Sequence, residues 1–352
     1  MTSDTTIEPV RVRGVPGSPC TRKMIALLRF RHVPYRWLVG EGDAPAQSAQ
    51  PAAGALPVLQ FNGDDGCVDA GVDCTPFIRR LERAFQGRSV VPLDPVVALL
   101  DRLIEDFADE WVAKAMPHFR WQYALDSDHA SDIMPRWTGI TASEARLRVR
   151  KHRIEDHQGE RLRGLGSNDT TGPLIEEGYH RLLALLRAHL QHQPFLFGGR
   201  PASADFALYG HLSQLTRFDP TPMAIALQEA PRVVAWVDVM DDLSGLDVDD
   251  SQWLGRADAI ELATPFLHEI GRTWVPVLRA SAEAVDSGTA EVDAEVEGLP
   301  WVQFASRHHA RCLEALRAAH ARVALADRAA LDDVFARTGC APLFAARALP
   351  TV

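Results

Sequence analysis

The sequence predicts an α+β chain in which a small mixed sheet with its helices comes first and an all-helical region follows. From Val10 to about Phe85, short apolar runs alternate with a segment of helical apolar periodicity. From about Pro95 onward the apolar period is almost everywhere that of a helix. The length of 352 residues leaves room for two or three domains.

The first region predicts the order strand, helix, strand, strand, strand, helix. We expect the first strand at VRVRGV, a helix at GSPCTRKMIALLRF and a parallel second strand at VPYRWLV. Two further strands, LPVLQFNG and GCVDA, flank a hairpin signal at residues 62–65, and a helix follows at TPFIRRLERAF. Over residues 8–86 this is the order of a thioredoxin-like domain.

Residues 87–94 form a short linker that contains Pro92, and Pro95 follows directly after it. The helical region begins there. We expect an all-α domain at 95–246 and a helical extension at 247–352, with one candidate extended piece at EVDAEVEG. The extension should pack on the α domain and cover part of a substrate cleft, because it holds too many large apolar side chains to leave in water. These are Trp253, Phe266, Leu267, Trp274, Trp301 and Phe304.

The composition, 46% apolar and 24% charged residues, is that of an ordinary globular chain. The net charge is −10 and no Lys/Arg block forms a phosphate-binding stripe, so nucleic acid is not an expected partner. Five cysteines without a C-x-x-C spacing fit reduced thiols and a cytoplasmic location. No membrane helix and no export signal are expected from the apolar runs or the N-terminal pattern.

Three segments in this order, GVPGSPCTRKMIALL, ALPVLQFNG and DAGVDCTPFIRRLE, resemble the glutathione transferase superfamily. The resemblance continues in PFLFGGRPASADFALYGHL and APRVVAWVDVM and spans about residues 8–243. It implies a glutathione-binding thioredoxin-like domain followed by that superfamily's all-α C-terminal domain. It also implies glutathione as co-substrate, a small electrophile as second substrate, and a homodimer.

The catalytic candidates are Ser18 and Cys20. Ser18 followed by Pro19 is typical of a helix start, and such an end favours a nearby anion, for example a thiolate, by about 0.3–1 kcal/mol. In the superfamily the residue at the position of Ser18 acts on the glutathione sulfur, so the resemblance assigns the Ser18 hydroxyl to the thiolate. The residues alone leave two other interpretations open: Ser18 as a plain helix cap, and Cys20 as either a reactive or a buried thiol.

The glutathione-binding candidates are Pro57, Val58, Asp73 and Cys74. Pro57 resembles the superfamily's cis-proline, and Val58 after it would pair its main chain with the cysteinyl part of glutathione. Asp73 and Cys74 match an acidic residue and a serine that receive the γ-glutamyl group. Cysteine replaces that serine here, and its S–H is a weak donor. The alternative for Asp73 is a plain helix cap.

Large residues gather near the start of the α domain, and we expect them to line the electrophile pocket. They are Trp111, His118, Arg120, Trp121 and Tyr123. Arg120 and Tyr123 would hold an anionic product or polarise an electrophile; the alternative is a core or dimer stripe. His308 and Cys312 share one helix face, but two candidate ligands without a nearby third do not predict a metal.

These observations predict a glutathione transferase-like enzyme that activates the glutathione thiolate for attack on a small apolar electrophile. Two alternatives stay open. Cys74 favours a non-catalytic binding or scaffold protein on the same fold. Cys20 would instead serve a glutathione-dependent thiol reductase or isomerase.

Overall fold

The computed structural model describes residues 9–39, 58–62, 68–71, 74–155, 162 and 164–345. Its strands are β1 (Val10–Arg13), β2 (Tyr35–Leu38), β3 (Val58–Asn62), β4 (Val68–Gly71), β5 (Glu291–Val296) and β6 (Leu299–Phe304). Its helices are α1 (Pro19–Phe30), α2 (Cys74–Ala84), α3 (Pro95–Glu110), α4 (Ala115–Gln122), α5 (Ala124–Trp137), α6 (Glu144–Glu155), α7 (Gly172–His189), α8 (Ser203–Leu215), α9 (Pro220–Glu229), α10 (Pro231–Met240), α11 (Arg256–Ser287), α12 (Arg307–Arg322) and α13 (Leu325–Thr338). The predicted α+β class is confirmed.

The chain divides into two compact units, each assembled from three stretches. The first takes the described residues of Met1–Val90, Phe119–Gln158 and Phe206–Asp249. The second takes those of Val91–His118, Gly159–Asp205 and Asp250–Val352. The stretch 95–246, predicted as one all-α domain, therefore contributes to both units.

The first unit contains a four-stranded sheet in the order β2-β1-β3-β4. β1 lies parallel to β2, as expected for two strands joined by a helix. β3 lies antiparallel to both β1 and β4, and Leu59 is opposite Val12 on one side and Gly71 on the other. With α2 after the last strand, this is the predicted thioredoxin-like order.

Helix α1 connects β1 to β2 and carries its apolar side chains toward the interior. Met24, Leu27 and Leu28 are fully buried, which is the spacing of one helical face. The helix ends before His32, which adopts the left-handed conformation (φ 55°) that histidine tolerates better than most residues. Helix α1 therefore packs with its apolar face against β1.

The second unit is organised around α11, a helix of 32 residues that packs against α3, α12, α13 and β5. Phe266, Leu267, Trp274 and Trp301, four of the residues that predicted packing of the extension, are buried, whereas Phe304 is 52% exposed. Although α11 is long, neither it nor any other helix among the described residues is apolar enough over its length to cross a membrane.

The extension is not helical throughout: the extended piece expected at EVDAEVEG is strand β5, and a second strand, β6, follows it where a helical continuation was expected. Strands β5 and β6 form an antiparallel hairpin. Val292 and Val296 are fully buried and are separated by more exposed residues, a period-two pattern that favours a strand. Glu297 and Gly298 join the strands with φ values of 51° and 80°, the pair of positive angles that a two-residue type I′ turn requires.

Candidate active site

Ser18 is the N-cap of α1. Its backbone is extended (φ −96°, ψ 118°), and its hydroxyl oxygen accepts a hydrogen bond from the Thr21 N–H at 3.3 Å. Pro19 occupies the first helical position, where its missing N–H costs nothing. Ser18 is half-buried, and its side chain stands at the N-terminus of the helix. No acidic residue lies in the first turn to oppose an incoming anion.

The loop before Ser18 is held by side chains from three elements of the first unit. Trp37 on β2 donates its indole N–H to the Gly14 carbonyl at 3.0 Å. Gln214 on α8 donates its amide N–H to the Pro16 carbonyl at 3.0 Å. The Trp137 ring at the end of α5 lies directly on Gly17, where a Cβ would come within 2.0 Å of the ring. The backbone that aims Ser18 is therefore fixed from several sides.

Gln214 is itself positioned by a buried ion pair. Arg120 donates to both carboxylate oxygens of Asp219, at 2.8 and 2.9 Å, and to the Gln214 side-chain oxygen at 3.2 Å. The guanidinium also lies over the ring of Phe218, 4.8 Å from its centroid. Arg120 is 2% exposed and Asp219 is fully buried, so the ion pair lies away from solvent. The guanidinium acts on the Ser18 loop through its hydrogen bond to Gln214.

Asp241, the residue after α10, anchors the outer side of α1. Arg22 donates to its carboxylate at 2.8 Å, and the Tyr209 hydroxyl donates to the same oxygen. Arg29 donates to the Asp241 backbone carbonyl at 3.0 Å. Burial raises the pKa of Tyr209, so the phenol keeps the proton that this bond uses. These bonds tie α1 to α8 and to the end of α10.

Helix α8 packs closely on helix α1 at Gly210, which faces the first turn of α1. A Cβ on residue 210 would lie 2.6 Å from the Pro19 carbonyl oxygen. We expect Gly210→Ala to push the start of α1 away and to lower the free energy of unfolding by about 1–3 kcal/mol, the usual cost of overpacking. Urea unfolding measures this change. Gly245→Ala, where nothing lies within 4 Å of the new methyl group, is the control and should change stability by less than about 0.5 kcal/mol. Equal effects at both positions would contradict the close packing.

The other predicted glutathione and thiol residues are placed as follows. Cys20, the second residue of α1, is half-buried and has a free thiol. Val58 begins β3 and is paired with Arg13, the last residue of β1. The chain runs on from Arg13 to Ser18. Cys74 begins α2 and is 5% exposed. Pro57, its predicted cis bond and Asp73 lie outside the described residues.

The predicted pocket residues fall into different units. Trp111 and His118 belong to the second unit, whereas Arg120, Trp121 and Tyr123 belong to the first. His118 is buried and bonds Ser167 and Glu176 through its two ring nitrogens, each at 2.9 Å.

In the first unit, Trp121 and Tyr123 are half-buried, and the Tyr123 ring stacks on Phe119 with a centroid distance of 5.8 Å. Trp111 lines a small apolar pocket in the second unit together with Phe107, Val112, Ala115, Ile175, Gly178, Tyr179 and Leu182. This pocket leaves about 10 Å³ open to the centre of a water molecule, room for about one water.

Sequence reasoning missed the residues that hold the Ser18 loop, which are Trp37, Trp137 and Gln214, and it missed Asp219, which holds Gln214 through Arg120. Trp137 carries a local signal, a lone large aromatic residue at the end of a polar helical stretch. Gln214 and Asp219 stand in or beside a buried helix with nothing in their neighbourhood to mark them.

Comparison with known proteins gives one family match and a set of structural likenesses. Residues 145–238 match the glutathione S-transferase C-terminal domain. A search of curated proteins found no match.

Among solved structures, a glutathione S-transferase from Rhodospirillum rubrum F11 is 16% identical, with a TM-score of 0.41, over 71% of this chain and 98% of its own. A glutathione transferase from Pseudomonas putida, solved with one glutathione disulfide per subunit, is 14% identical, with a TM-score of 0.43, over 68% and 94%. The beta-etherase LigF from Sphingobium sp. strain SYK-6 is 15% identical, with a TM-score of 0.41, over 66% and 95%.

The family match covers the α6 to α10 region, and the sheet before it has the thioredoxin-like order that the resemblance implied. The chain therefore carries a match to the glutathione S-transferase C-terminal domain, preceded by a sheet of thioredoxin-like order.

Proposed function

We propose that the protein is a glutathione transferase-like enzyme in which Ser18 stabilises the glutathione thiolate for attack on a small apolar electrophile. The observation that carries this proposal is the hydroxyl of the half-buried Ser18 at the N-terminus of α1, on a backbone held by Trp37, Trp137 and Gln214. A donor fixed before the reaction stabilises developing or resident negative charge without reorganisation.

In this mechanism the glutathione sulfur lies beyond the N-terminus of α1, next to Ser18. The Ser18 hydroxyl donates to the thiolate while its oxygen still accepts from the Thr21 N–H. The partial positive charge of the helix end acts in the same direction. The thiolate attacks the electrophilic carbon, the new C–S bond forms, and the leaving group departs with the bonding electron pair. A lower thiol pKa provides more of the nucleophile at neutral pH.

The peptide part of glutathione would pair with main-chain groups at the start of β3, next to Val58. Its γ-glutamyl carboxylate would lie at the N-terminus of α2, where Cys74 stands. Under the same proposal the protein works in the cytoplasm as a homodimer. Thiolate attack of this kind requires no metal.

Cys74 provides a test of this placement. We expect Cys74→Ser to bind glutathione more tightly, by about 5- to 30-fold, because a hydroxyl is a stronger donor to a carboxylate than a thiol. Calorimetric titration with glutathione measures the change. Cys340→Ser, the replacement of another buried thiol, is the matched control and should leave the affinity for glutathione unaltered. Unchanged or weaker binding by Cys74→Ser would show that position 74 does not face the ligand.

Retention on immobilised glutathione tests the proposed function. The protein should bind the matrix, elute with free glutathione, and conjugate glutathione to a general electrophile such as a chlorinated nitrobenzene. Passage through the matrix without retention would contradict the proposal and favour the scaffold alternative.

A further inference from the structure

Two helices of the second unit face each other with a pair of metal-ligand side chains on each. α3 carries Asp106 and Glu110, and α12, which packs against α3, carries His308 and Cys312. Both pairs have i,i+4 spacing, which places their side chains on one face of each helix. Glu110 and His308 are 198 residues apart in the sequence, so only the fold brings the pairs together.

Glu110 and Cys312 both approach the same ring nitrogen, Nε2 of His308. His308 Nε2 lies 2.8 Å from Glu110 Oε1 and 3.5 Å from Cys312 Sγ. Atoms of these three residues lie within 4.8 Å of one another. Asp106 lies beside this group, because Cys312 hydrogen-bonds to it and Trp274 donates its indole N–H to it at 2.8 Å.

This arrangement differs from that of a catalytic thiol. In a Cys–His–acid relay the thiol and the acid contact opposite nitrogens of the imidazole, so that one orients the ring while the other transfers the proton. Here the acid and the thiol both approach Nε2. A bound cation requires several ligand atoms gathered close together in this way.

The distances fit a small tetrahedral cation after a modest adjustment. With zinc bonds of about 2.0–2.3 Å to nitrogen, oxygen and sulfur, the ligand atoms of a tetrahedral site lie about 3.3–3.7 Å apart. The separation of Cys312 Sγ from His308 Nε2, 3.5 Å, already has this value. The hydrogen bond of 2.8 Å between His308 and Glu110 would widen by about half an ångström as a cation replaces its proton.

Neighbouring side chains orient the candidate ligands. His309 Nε2 contacts the other carboxylate oxygen of Glu110 at 3.0 Å, and Ser281 contacts His309 Nδ1 at 2.9 Å. The Trp274 ring, which bonds Asp106, meets the His309 ring edge-on at 5.0 Å. Supporting contacts of this kind fix the ligands of metal sites in proteins.

We propose that Glu110, His308 and Cys312 bind one divalent cation of the zinc class. A thiolate, an imidazole and a carboxylate are ligands that zinc accepts, and Asp106, the hydrogen-bond partner of Cys312, supports the site from outside it. The Cys312 thiol loses its proton to solvent on binding. The cation joins α3 to α12 through these three side chains. This inference is independent of the proposed transferase function.

Cobalt substitution in the full chain tests the proposal. Protein dialysed against a chelator and then titrated with Co²⁺ should show a thiolate-to-cobalt charge-transfer band that saturates at one Co²⁺ per chain and disappears when Zn²⁺ is added. Cys312→Ser should abolish the band and weaken Zn²⁺ binding at least about 100-fold in competition with a chromophoric chelator, because loss of a ligand costs no less than loss of a supporting contact.

His320→Gln is the matched control, since His320 on the same helix pairs with Asp332 at 2.8 Å away from the cluster. It should leave both the band and the affinity for Zn²⁺ unchanged. Absence of the band in the parent protein would overturn the proposal whether or not the variants fold. So would a band that persists in Cys312→Ser.

Discussion

Ser18→Ala should lower the turnover of glutathione conjugation at neutral pH by roughly 10- to 1000-fold, a barrier increase of about 1.4–4 kcal/mol. The expected loss follows from the position of the hydroxyl at the N-terminus of α1, where it would donate to the proposed thiolate. Without it the thiol pKa of bound glutathione rises, and a smaller fraction is ionised at neutral pH. Binding of glutathione itself should change less, because the peptide contacts remain.

Cys20→Ala is the matched control for this prediction. Cys20 is the second residue of the same helix, so its side chain is turned around the helix axis relative to the N-cap. We expect its replacement to have little effect on conjugation. A pH–rate profile of the parent and both variants, with the same electrophile, separates the two residues. Full activity in Ser18→Ala together with loss in Cys20→Ala would transfer the role to the cysteine and favour thiol exchange.

Asp219→Ala should lower the free energy of unfolding by about 3–5 kcal/mol, because it leaves the Arg120 charge buried without its partner. The substitution should also reduce activity in the protein that remains folded. Arg120 holds Gln214, and Gln214 holds the Pro16 carbonyl, so the Ser18 loop loses one of its supports. Urea unfolding, followed together with conjugation rate, measures both effects.

Two further variants test whether the loss of stability in Asp219→Ala comes from leaving the buried Arg120 charge without a partner. Asp132→Ala breaks the pair with Lys151, in which the Asp132 side chain is 60% exposed, and should cost less than about 1 kcal/mol. Arg120→Met combined with Asp219→Leu removes both charges and should recover most of the stability lost in Asp219→Ala. A loss in Asp219→Ala no larger than that in Asp132→Ala would contradict a stabilising role for the buried pair.

Local sequence patterns were sufficient for the first region. The apolar spacing around Met24 and the Ser18-Pro19 signal predicted α1, and the short apolar runs predicted the strands at their places. The β5–β6 hairpin was partly visible as an extended piece at residues 291–298. Its second strand is not predicted: the sequence favours a helix from about Val302, because the run from Trp301 onward has no polar residue at every second position to mark it as a strand.

What could not be predicted depends on contacts between distant parts of the chain. Gln214 meets Pro16 from 198 residues away, and Asp219 meets Arg120 from 99 residues away. Propensity, capping and periodicity describe neighbours along the chain, so they carry no information about such pairs. The same reason explains why His308 and Cys312 alone do not predict a metal site: their acidic partner, Glu110, belongs to α3.

Direct titration of the thiol of bound glutathione tests the central claim that the α1 N-terminus stabilises a thiolate. The ultraviolet absorbance of the thiolate, recorded against pH with saturating protein, gives the pKa of the bound thiol without any second substrate. In the parent protein we expect this pKa to lie at least about one unit below that of free glutathione, equivalent to about 1.4 kcal/mol, and in Ser18→Ala to return toward the free value. A bound thiol that titrates in the parent protein at the same pH as free glutathione would contradict the account.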